Sequence, residues 1–262
     1  MQRKIDIAFV DIDWTIFDHS NGNHVFDFES IEALNKLHEQ GVKIVICTAR
    51  AFHSVEQIGI LNYLKVDGMI INNGGLIVFD NQIIYQNRIS EEKLNAFCEM
   101  TLNLGLNVEI IEPFTCSLIK ELDQNVLNLF ATYQEDMPVV KDYHGQKPVS
   151  LLLFAPEEYD DFYLKNLPEG MQYFRFHPYG VDIVEKEHLK GDAVKFVLNY
   201  LRIPKEKSIS FGDDIPDISM FKETGMSFCL INGKEEAKEA ASEVIPEVFN
   251  HGVRITLEKY FL

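Results

Sequence analysis

The sequence is poor in cysteine and in basic residues, and each shortage argues against a class of protein. The cysteines number four and lie far apart without a Cys-x-x-Cys pair; they are Cys47, Cys98, Cys116 and Cys229. This usage predicts buried free thiols in a reducing cytosol. Lysine and arginine number 24 against 41 acidic residues, which gives a formal net charge of −17. Such a balance disfavours a nucleic-acid partner and an anionic membrane surface.

Long apolar runs are also missing. No signal-type stretch or uninterrupted transmembrane span is present, which predicts a cytoplasmic protein without a membrane partner. The 262 residues are 46% hydrophobic, enough to bury one large or two modest cores. We expect a monomer or a homodimer. The eight histidines form no metal-type cluster along the sequence, and none is expected to be a ligand.

Strands alternate with helices at both ends of the chain. Apolar runs at 5–10, 42–47 and 66–71 predict buried strands, and helices are predicted at 30–40 and 52–61. Ser30 is the expected N-cap of the first helix, and Gly41 the expected end. The last quarter repeats this pattern, with helices at 192–201, 218–223 and 235–241 and strands at 207–211 and 226–230. Such alternation predicts right-handed βαβ units and a parallel sheet.

The middle of the chain has a different pattern. Strands are predicted at 108–111, 116–120 and 150–154, a hairpin at 171–176 and 181–185, and helices at 90–104, 125–134 and 156–167. Adjacent strands with fewer alternations indicate an α+β module with a mainly antiparallel sheet. We therefore expect a discontinuous core domain, 1–85 with 188–262, and an inserted domain at 86–187.

Two carboxylates follow the first apolar run, where a strand should end. Asp11 and Asp13 stand one residue apart. Like charges at this spacing disfavour each other's ionisation, which is awkward in a purely structural loop. They become useful together if a divalent cation sits between them, or if one attacks while the other carries a proton.

Three more segments place reactive residues beside a predicted strand or helix end. They are Thr48 with Arg50, Lys190 with Gly191, and 212–217 with its aspartates. In open α/β sheets, ligands bind at the carboxyl ends of the strands, where these segments would converge. Acids for a Mg²⁺ ion, a hydroxyl and a cation together suit phosphoryl transfer. Because the net charge is acidic, an anionic substrate requires local cations or a bound metal that reverse the field at the site.

The four segments read DIDWT, CTAR, KG and GDDIPD, in this order. The chain resembles haloacid dehalogenase-like phosphatases over essentially its whole length, and the inserted module resembles the cap of their Cof-type sugar-phosphatase branch. The resemblance implies a Rossmann-like α/β parallel-sheet core with an inserted α+β cap. It also implies a phosphoric monoester hydrolase that acts on small phosphorylated metabolites, most of all sugar phosphates.

The resemblance further implies residue roles. Asp11 would be the nucleophile that forms an aspartyl-phosphate, and Asp13 the general acid and then the base for water. Lys190 would neutralise charge between Asp11 and the phosphoryl group. Mg²⁺ would be held by Asp11, the carbonyl of Asp13 and Asp213, with Asp217 as a further ligand, directly or through water. The expected substrate-binding residues are Thr48, Ala49, Arg50, Asn73, Gly74 and Lys190.

Several of these positions have structural alternatives. Asp217 could be an N-cap before Ile218, Thr48 could cap the helix that follows it, and Arg50 could form a surface salt bridge. Asn72 and Asn73 could be turn formers only. In the inserted module, Arg175, His177 and Asp182 are weaker candidates for substrate contacts.

Three positions depart from the family pattern. Trp14 stands where glycine normally follows the second aspartate, Ala49 replaces a glycine, and Pro216 replaces an asparagine. Alanine is tolerated where φ is negative, whereas proline lacks both a side-chain donor and a backbone N–H. All residues with direct chemical duty are present, so catalysis is the first expectation. The alternatives are a catalytically weakened binding or regulatory protein and a phosphotransferase.

Overall fold

The computed structural model describes residues 4–19, 24–133, 136–186 and 189–262. The chain divides into two compact units. The first comprises Met1–Arg50, Ile58–Ile84 and Leu189–Leu262, and the second comprises Ala51–Gln57 and Tyr85–His188. Among the described residues, no helix has both the length and the apolar character needed to cross a membrane.

The strands in chain order are β1 Ile7–Val10, β2 Phe17–Asp18, β3 Val25–Phe26, β4 Lys43–Cys47, β5 Gly68–Ile71, β6 Leu76–Phe79, β7 Gln82–Gln86, β8 Asn107–Ile111, β9 Cys116–Leu118, β10 Val139–Val140, β11 Ser150–Phe154, β12 Met171–His177, β13 Gly180–Glu185, β14 Ser208–Gly212, β15 Met226–Leu230 and β16 Glu243–Ile245. The α-helices are α1 Phe28–Glu39, α2 Phe52–Ile58, α3 Glu91–Asn103, α4 Gln124–Tyr133, α5 Asp160–Asn166, α6 Lys190–Leu201, α7 Asp217–Glu223, α8 Glu235–Ala240 and α9 Gly252–Tyr260.

The first unit is built on one sheet with the order β16-β15-β14-β1-β4-β5-β6-β7. β1 lies near its centre and pairs in parallel with both β14 and β4. All four residues of β1 are buried, as expected for a strand covered on both faces. The parallel pairing brings the carboxyl ends of β1, β4 and β14 to one edge, which confirms the predicted Rossmann-like core.

The start of α1 differs from the prediction. Ser30 is not the N-cap; it lies inside the first turn, and its N–H donates to the Asp27 carboxylate at 3.1 Å while its hydroxyl donates to the same group. Asp27 wins because its two oxygens satisfy both donors. The predicted end is confirmed, since Gly41 has a φ of +89° just after the helix.

Some elements of the first unit have no counterpart in the prediction. β6 runs antiparallel to β5, and β7 extends the edge beyond it. The turn between β6 and β7 uses Asp80 and Asn81, both with positive φ, a conformation typical of a two-residue hairpin loop. The strand β16 and the C-terminal helix α9 were also not predicted. Their segments are short or weakly periodic, which gives sequence reasoning little to detect.

The second unit contains the sheet β10-β9-β8-β11-β13-β12, in which neighbouring strands pair antiparallel except for β10 with β9. Alternate residues of β8 lie on opposite faces of this sheet. Val108 and Ile110 pack with Phe97 of α3 and Tyr163 of α5. The predicted α+β character with a mainly antiparallel sheet is confirmed.

The predicted domain limits, after residues 85 and 187, stay a prediction. Residues 51–57 also belong to the second unit, where Ala51 packs with Ile111 and Val149. The predicted helix end at 134 and the predicted limits at 187 and 188 lie outside the described residues.

Candidate active site

Three acids and one lysine meet at the carboxyl edge of the first sheet. Asp11 follows β1, Asp213 follows β14, and Asp217 begins α7. One carboxylate oxygen of each acid lies within 4.8 Å of the others. The Nζ atom of Lys190 donates to Asp11 Oδ1 at 2.8 Å and to Asp217 Oδ1 at 2.7 Å. The structure thus brings these predicted residues together.

Lys190 reaches this position because α6 packs very closely on α7. Lys190 is the first residue of α6, not a residue before it as predicted. A Cβ atom at Gly191 would lie 2.4 Å from the Ser219 carbonyl oxygen, so only glycine permits this approach. The Gly191 N–H donates to Ser219 Oγ at 3.0 Å.

Asp217 holds the site together and does not cap α7. Its Oδ1 accepts from Lys190, and its Oδ2 accepts from the amides of Asp213 and Asp214 at 2.9 and 3.0 Å. The N-cap alternative is wrong, because Pro216 occupies that position. Asp217 is fully buried, and its carboxyl carbon would lie 2.5 Å from a Cβ at Gly212. The carboxylate therefore ties the loop after β14 to Lys190.

The charge of Lys190 offsets only part of the negative charge of the three buried acids. Burial raises the pKa of Asp11 to about 8, and repulsion from Asp217 and Asp13 adds to that rise against the attraction of Lys190. Burial, Asp217 and Asp11 likewise raise the pKa of Asp213 well above its ordinary value. Burial alone would lower the pKa of Lys190, but the two carboxylates raise it. An all-oxygen set with excess negative charge fits a hard divalent cation.

Asp13 stands apart from this cluster. Arg50 clamps it through two hydrogen bonds, from Nε at 2.9 Å and from Nη2 at 2.7 Å, and His19 Nε2 lies 2.6 Å from its Oδ1. Burial would raise the pKa of Asp13, but the Arg50 charge and the hydrogen bonds from both partners hold it far below its ordinary value. Asp13 is therefore a carboxylate in this arrangement. Arg50 does form a salt bridge, as the structural alternative predicted, but the bridge is not at the surface, because the Arg50 side chain is only 7% exposed.

Sequence reasoning missed the histidine pair beside Asp13. His19 Nδ1 lies 2.8 Å from His24 Nδ1, and the His19 ring lies 5.5 Å from that of Trp14. The residues flank the short strands β2 and β3, which carry almost no periodic signal. Only their nearness in sequence to Asp13 could have indicated a role.

Trp14 adopts a φ of +57°, the left-handed conformation that glycine accepts most readily. Asn232 Nδ2 donates to the Trp14 carbonyl oxygen at 3.0 Å, and Trp14 is 40% exposed. The backbone conformation explains the family's preference for glycine here. Tryptophan occupies the place at a strain of about 1–2 kcal/mol.

Thr48 is buried, and its Oγ1 accepts from the Arg50 amide at 3.2 Å. Asn73 donates its backbone N–H to the Thr48 carbonyl at 3.1 Å. Asn72 and Asn73 have left-handed φ values of 52° and 55°, and Gly74 has 106°, so the turn-forming role of the asparagines is confirmed for the backbone. Ala49 is exposed and has no positive φ, which accounts for its replacement of glycine.

Pro216 lies directly before α7 with a φ of −58°, which its ring readily adopts. Its carbonyl oxygen accepts from Ser219 Oγ at 2.8 Å. The position thus supports α7 through an acceptor, and it offers the acids no donor.

In the second unit, the Arg175 side chain forms hydrogen bonds with neighbouring residues of that unit. Its guanidinium donates to Asp160, to Tyr173 Oη and to the carbonyls of Ala155, His177 and Pro178. This network stabilises the sheet edge, so a substrate contact would require breaking it.

The expectation that no histidine joins a metal-type cluster is wrong. In the second unit, potential ligand atoms of His53, Glu109 and Cys116 lie within 4.8 Å of one another. The separations along the chain hid this group, because two strands and one helix contribute its members.

Comparisons with known proteins agree with this geometry. A family described as haloacid dehalogenase-like hydrolase matches residues 8–257. A Bacillus subtilis protein named "Putative phosphatase YkrA" is 26% identical over 97% of this chain and 96% of its own length. "Phosphatase YwpJ" of the same organism is 24% identical over 93% and 95%. The solved structure of the sugar phosphatase BT4131 superimposes with a TM-score of 0.85 at 23% identity, covering 97% of this chain and 98% of that one.

Proposed function

Because the chain belongs to the haloacid dehalogenase-like hydrolases, we propose that it is a Mg²⁺-dependent phosphatase of small phosphorylated metabolites, with sugar phosphates as the first substrate class. The family match and the phosphatases among its relatives confirm the enzyme class, a phosphoric monoester hydrolase. The observation that carries the proposal is the buried cluster of Asp11, Asp213 and Lys190 at the carboxyl edge of the sheet.

The oxygen donors suit Mg²⁺. Asp11, Asp213 and the carbonyl of Asp13 would hold the ion, which would neutralise phosphoryl charge and keep the carboxylates ionised. Asp217 already serves Lys190 and two amides with its two oxygens. We therefore assign Asp217 to positioning Lys190, with any contact to the metal made through water.

The reaction runs through Asp11. One carboxylate oxygen attacks phosphorus, the bond to the leaving alcohol breaks, and the alcohol takes a proton from Asp13. Water then attacks the aspartyl-phosphate, giving its proton to Asp13 and releasing phosphate and free Asp11. Lys190, 2.8 Å from Asp11, offsets the charge that both attacks bring to this carboxylate.

Asp13 must gain a proton before the first step, and its pairing with Arg50 opposes this. The guanidinium holds the pKa of Asp13 far below its ordinary value. We propose that Arg50 turns toward the substrate's phosphoryl or hydroxyl oxygens on binding, together with Thr48, Asn73 and Gly74. Release of the clamp would let Asp13 act as an acid.

The second unit is proposed to be the cap of this branch, at residues 86–187. It would exclude water from the aspartyl-phosphate and contact the leaving group. Cytoplasmic location is also proposed, in keeping with the four free cysteines. We also propose that the protein is a monomer or a homodimer, which sedimentation analysis can distinguish.

The direct test is release of phosphate from a panel of phosphorylated sugars, with Mg²⁺ and with a chelator. We expect Mg²⁺-dependent turnover that Asp11→Asn abolishes. Asp214→Asn is the matched control, because the carboxylate of this neighbouring acid accepts from the Ile215 amide at 2.7 Å and does not belong to the acidic cluster. Absence of phosphate release from every substrate, with binding intact, would refute catalysis.

The clamp on Asp13 also supports a second candidate, a phosphate-ester-binding protein with weak turnover. It predicts tight binding with negligible hydrolysis, and a sharp gain of rate in the double variant of Trp14→Gly and Pro216→Asn. An unchanged rate in that variant counts against it. Hydrolysis in labelled water separates both candidates from a phosphotransferase, since only hydrolysis places solvent oxygen in the released phosphate.

A further inference from the structure

We propose that His53, Glu109 and Cys116 form a second metal site, distinct from the acidic cluster and selective for a borderline divalent ion such as Zn²⁺. All three residues belong to the second unit. The ligand atoms comprise one nitrogen, one oxygen and one sulfur within 4.8 Å of one another. The site would carry three protein ligands and leave one position for water.

The hairpin of β8 and β9 builds two-thirds of the site. Ile111 pairs with Cys116 in the antiparallel register, and Glu109 lies two residues before Ile111 on the same strand. Residues two apart share a face, so Glu109 and Cys116 are diagonal neighbours on one side of the sheet. Val108 and Ile110 point to the opposite side, into the helix-covered core.

The short helix α2 supplies the third ligand. Its first turn packs beside the hairpin, as shown by Ala51 against Ile111 and by the rings of Phe52 and Phe114, whose centres are 5.0 Å apart. This packing directs His53 toward both strands. The His53 side chain is 20% exposed, which leaves an access route for an ion.

The distances match a tetrahedral metal. Typical Zn–N and Zn–S bonds of about 2.0 and 2.3 Å at tetrahedral angles separate nitrogen from sulfur by about 3.5 Å, and a Zn–O bond of about 2.1 Å separates nitrogen from oxygen by about 3.4 Å. His53 Nε2 lies 3.5 Å from Cys116 Sγ and 3.8 Å from Glu109 Oε1. The Cys116 sulfur and the Glu109 carboxylate oxygen lie within 4.8 Å of each other, and this pair would approach to about 3.6 Å around an ion.

A nucleophilic Cys-His-Glu triad would require a different arrangement. In such a triad, one ring nitrogen meets the thiol and the other meets the carboxylate. Here Cys116 and Glu109 both face Nε2 of His53. A single nitrogen cannot relay a proton between the two in that manner, whereas its lone pair can coordinate a metal that both other groups also bind.

Burial strengthens the attraction that this carboxylate would have for a cation. The Glu109 side chain is only 3% exposed and lies on a strand whose same-face neighbour, Ile111, belongs to an apolar cluster. Charges attract more strongly in such surroundings than in water. A divalent ion bound here would interact strongly with the carboxylate, and it would also favour the thiolate form of Cys116.

The donor set separates this site from the acidic cluster. Mg²⁺ prefers oxygen ligands, as offered by Asp11 and Asp213, whereas mixed nitrogen, sulfur and carboxylate donors suit zinc or cobalt. Occupancy would fasten the first turn of α2 to the β8–β9 hairpin. Neither the fold of the first unit nor the phosphatase proposal requires it.

The test is a titration of the full-length, metal-free protein with Co²⁺ and Zn²⁺. Co²⁺ bound here should produce thiolate-to-cobalt charge-transfer absorption, which the oxygen ligands of the acidic cluster cannot give. Cys116→Ser should abolish that absorption, and His53→Gln should weaken the affinity at least about tenfold. His144→Gln, an exposed histidine of the same unit, is the matched control and should change nothing.

A second measurement on the wild-type protein keeps the proposal independent of variant folding. Cys116 is half-buried, whereas Cys47, Cys98 and Cys229 are buried, so alkylation of the native protein reports mainly on Cys116. Zn²⁺ should slow this labelling, and Asp213→Asn should leave the protection intact. Labelling that Zn²⁺ does not slow, or the absence of thiolate absorption with Co²⁺, overturns the proposal.

Discussion

Replacing Lys190 by methionine should destabilise the protein strongly, and the loss should depend on pH and on metal. The Lys190 side chain is 3% exposed and lies 2.8 and 2.7 Å from the carboxylates of Asp11 and Asp217. At these distances each pair attracts by about 6 kcal/mol at an effective dielectric constant of about 20. Desolvation offsets most of this attraction, yet removing one partner of a buried pair typically costs about 3–5 kcal/mol.

The sign of the pH dependence follows from Asp11. Its pKa is already raised to about 8, and loss of the lysine charge raises it further. A folded state that holds protons more tightly than the unfolded chain loses stability as pH rises from the ordinary carboxyl range through the folded pKa. Below about pH 8 Asp11 is protonated in both folded proteins, so its part of the Lys190→Met deficit should be constant there; the deficit should grow above pH 8, where Asp11 ionises in the wild type but not in the variant.

The assay is urea unfolding of the metal-free protein, followed by far-ultraviolet circular dichroism between about pH 6 and pH 10. A loss of about 3–5 kcal/mol corresponds to a melting temperature lower by about 6–20 °C for a chain of this size. Mg²⁺ should recover part of the loss, because it neutralises the same carboxylates. Lys195→Met, an exposed lysine of the same helix, should stay within about 0.5 kcal/mol of wild type.

The reasoning fails if Lys190→Met matches the Lys195→Met control at about pH 10 without metal. It also fails if the deficit is independent of pH, because the carboxylates would then not be the groups that the lysine stabilises. Loss of phosphatase activity alone would not decide the matter, since Lys190 also serves the proposed chemistry.

Three further outcomes are expected. Gly191→Ala should destabilise the protein by about 1–3 kcal/mol in urea unfolding, because its Cβ would lie 2.4 Å from the Ser219 carbonyl oxygen; an unchanged midpoint would contradict the close packing. Arg50→Gln should raise the pKa of Asp13 by removing the guanidinium charge; because Asp13 must be protonated for the first step, the high-pH limb of the kcat/KM profile should move to higher pH, and an unmoved limb would exclude the clamp. Trp14→Gly should be about 1 kcal/mol more stable than Trp14→Ala, because φ is +57° there; equal midpoints would argue against strain.

The sequence predicted the framework of the site because strand ends follow a simple rule. Buried apolar runs identified β1, β4 and β14, and parallel pairing then required the residues after them to meet. The meeting of Asp11, Lys190 and Asp213 was therefore accessible from order and spacing. Their roles came from the family resemblance.

Side-chain partnerships were not accessible in the same way. The clamp on Asp13 joins residues 37 positions apart, and it depends on the direction of the Arg50 side chain after β4. The choice of Asp27 over Ser30 as N-cap depends on competition between two suitable residues three positions apart. The group of His53, Glu109 and Cys116 needs both a hairpin register and the packing of a separate helix. Periodicity reports which face is apolar, but it does not report such pairings.

The order in which the chain is synthesised has a consequence for the central strand. β1 pairs with β14, and Lys190 meets Asp11 across 179 positions, while Thr15 meets Asp213 across 198. A nascent chain thus exposes one open edge of β1 until β14, at Ser208–Gly212, has been made. The antiparallel sheet of the second unit joins residues that are much closer in sequence, so it can form while this edge of β1 is still unpaired. The catalytic edge is then among the last parts to form, and chains that end before β14 should be prone to pair through β1 with each other.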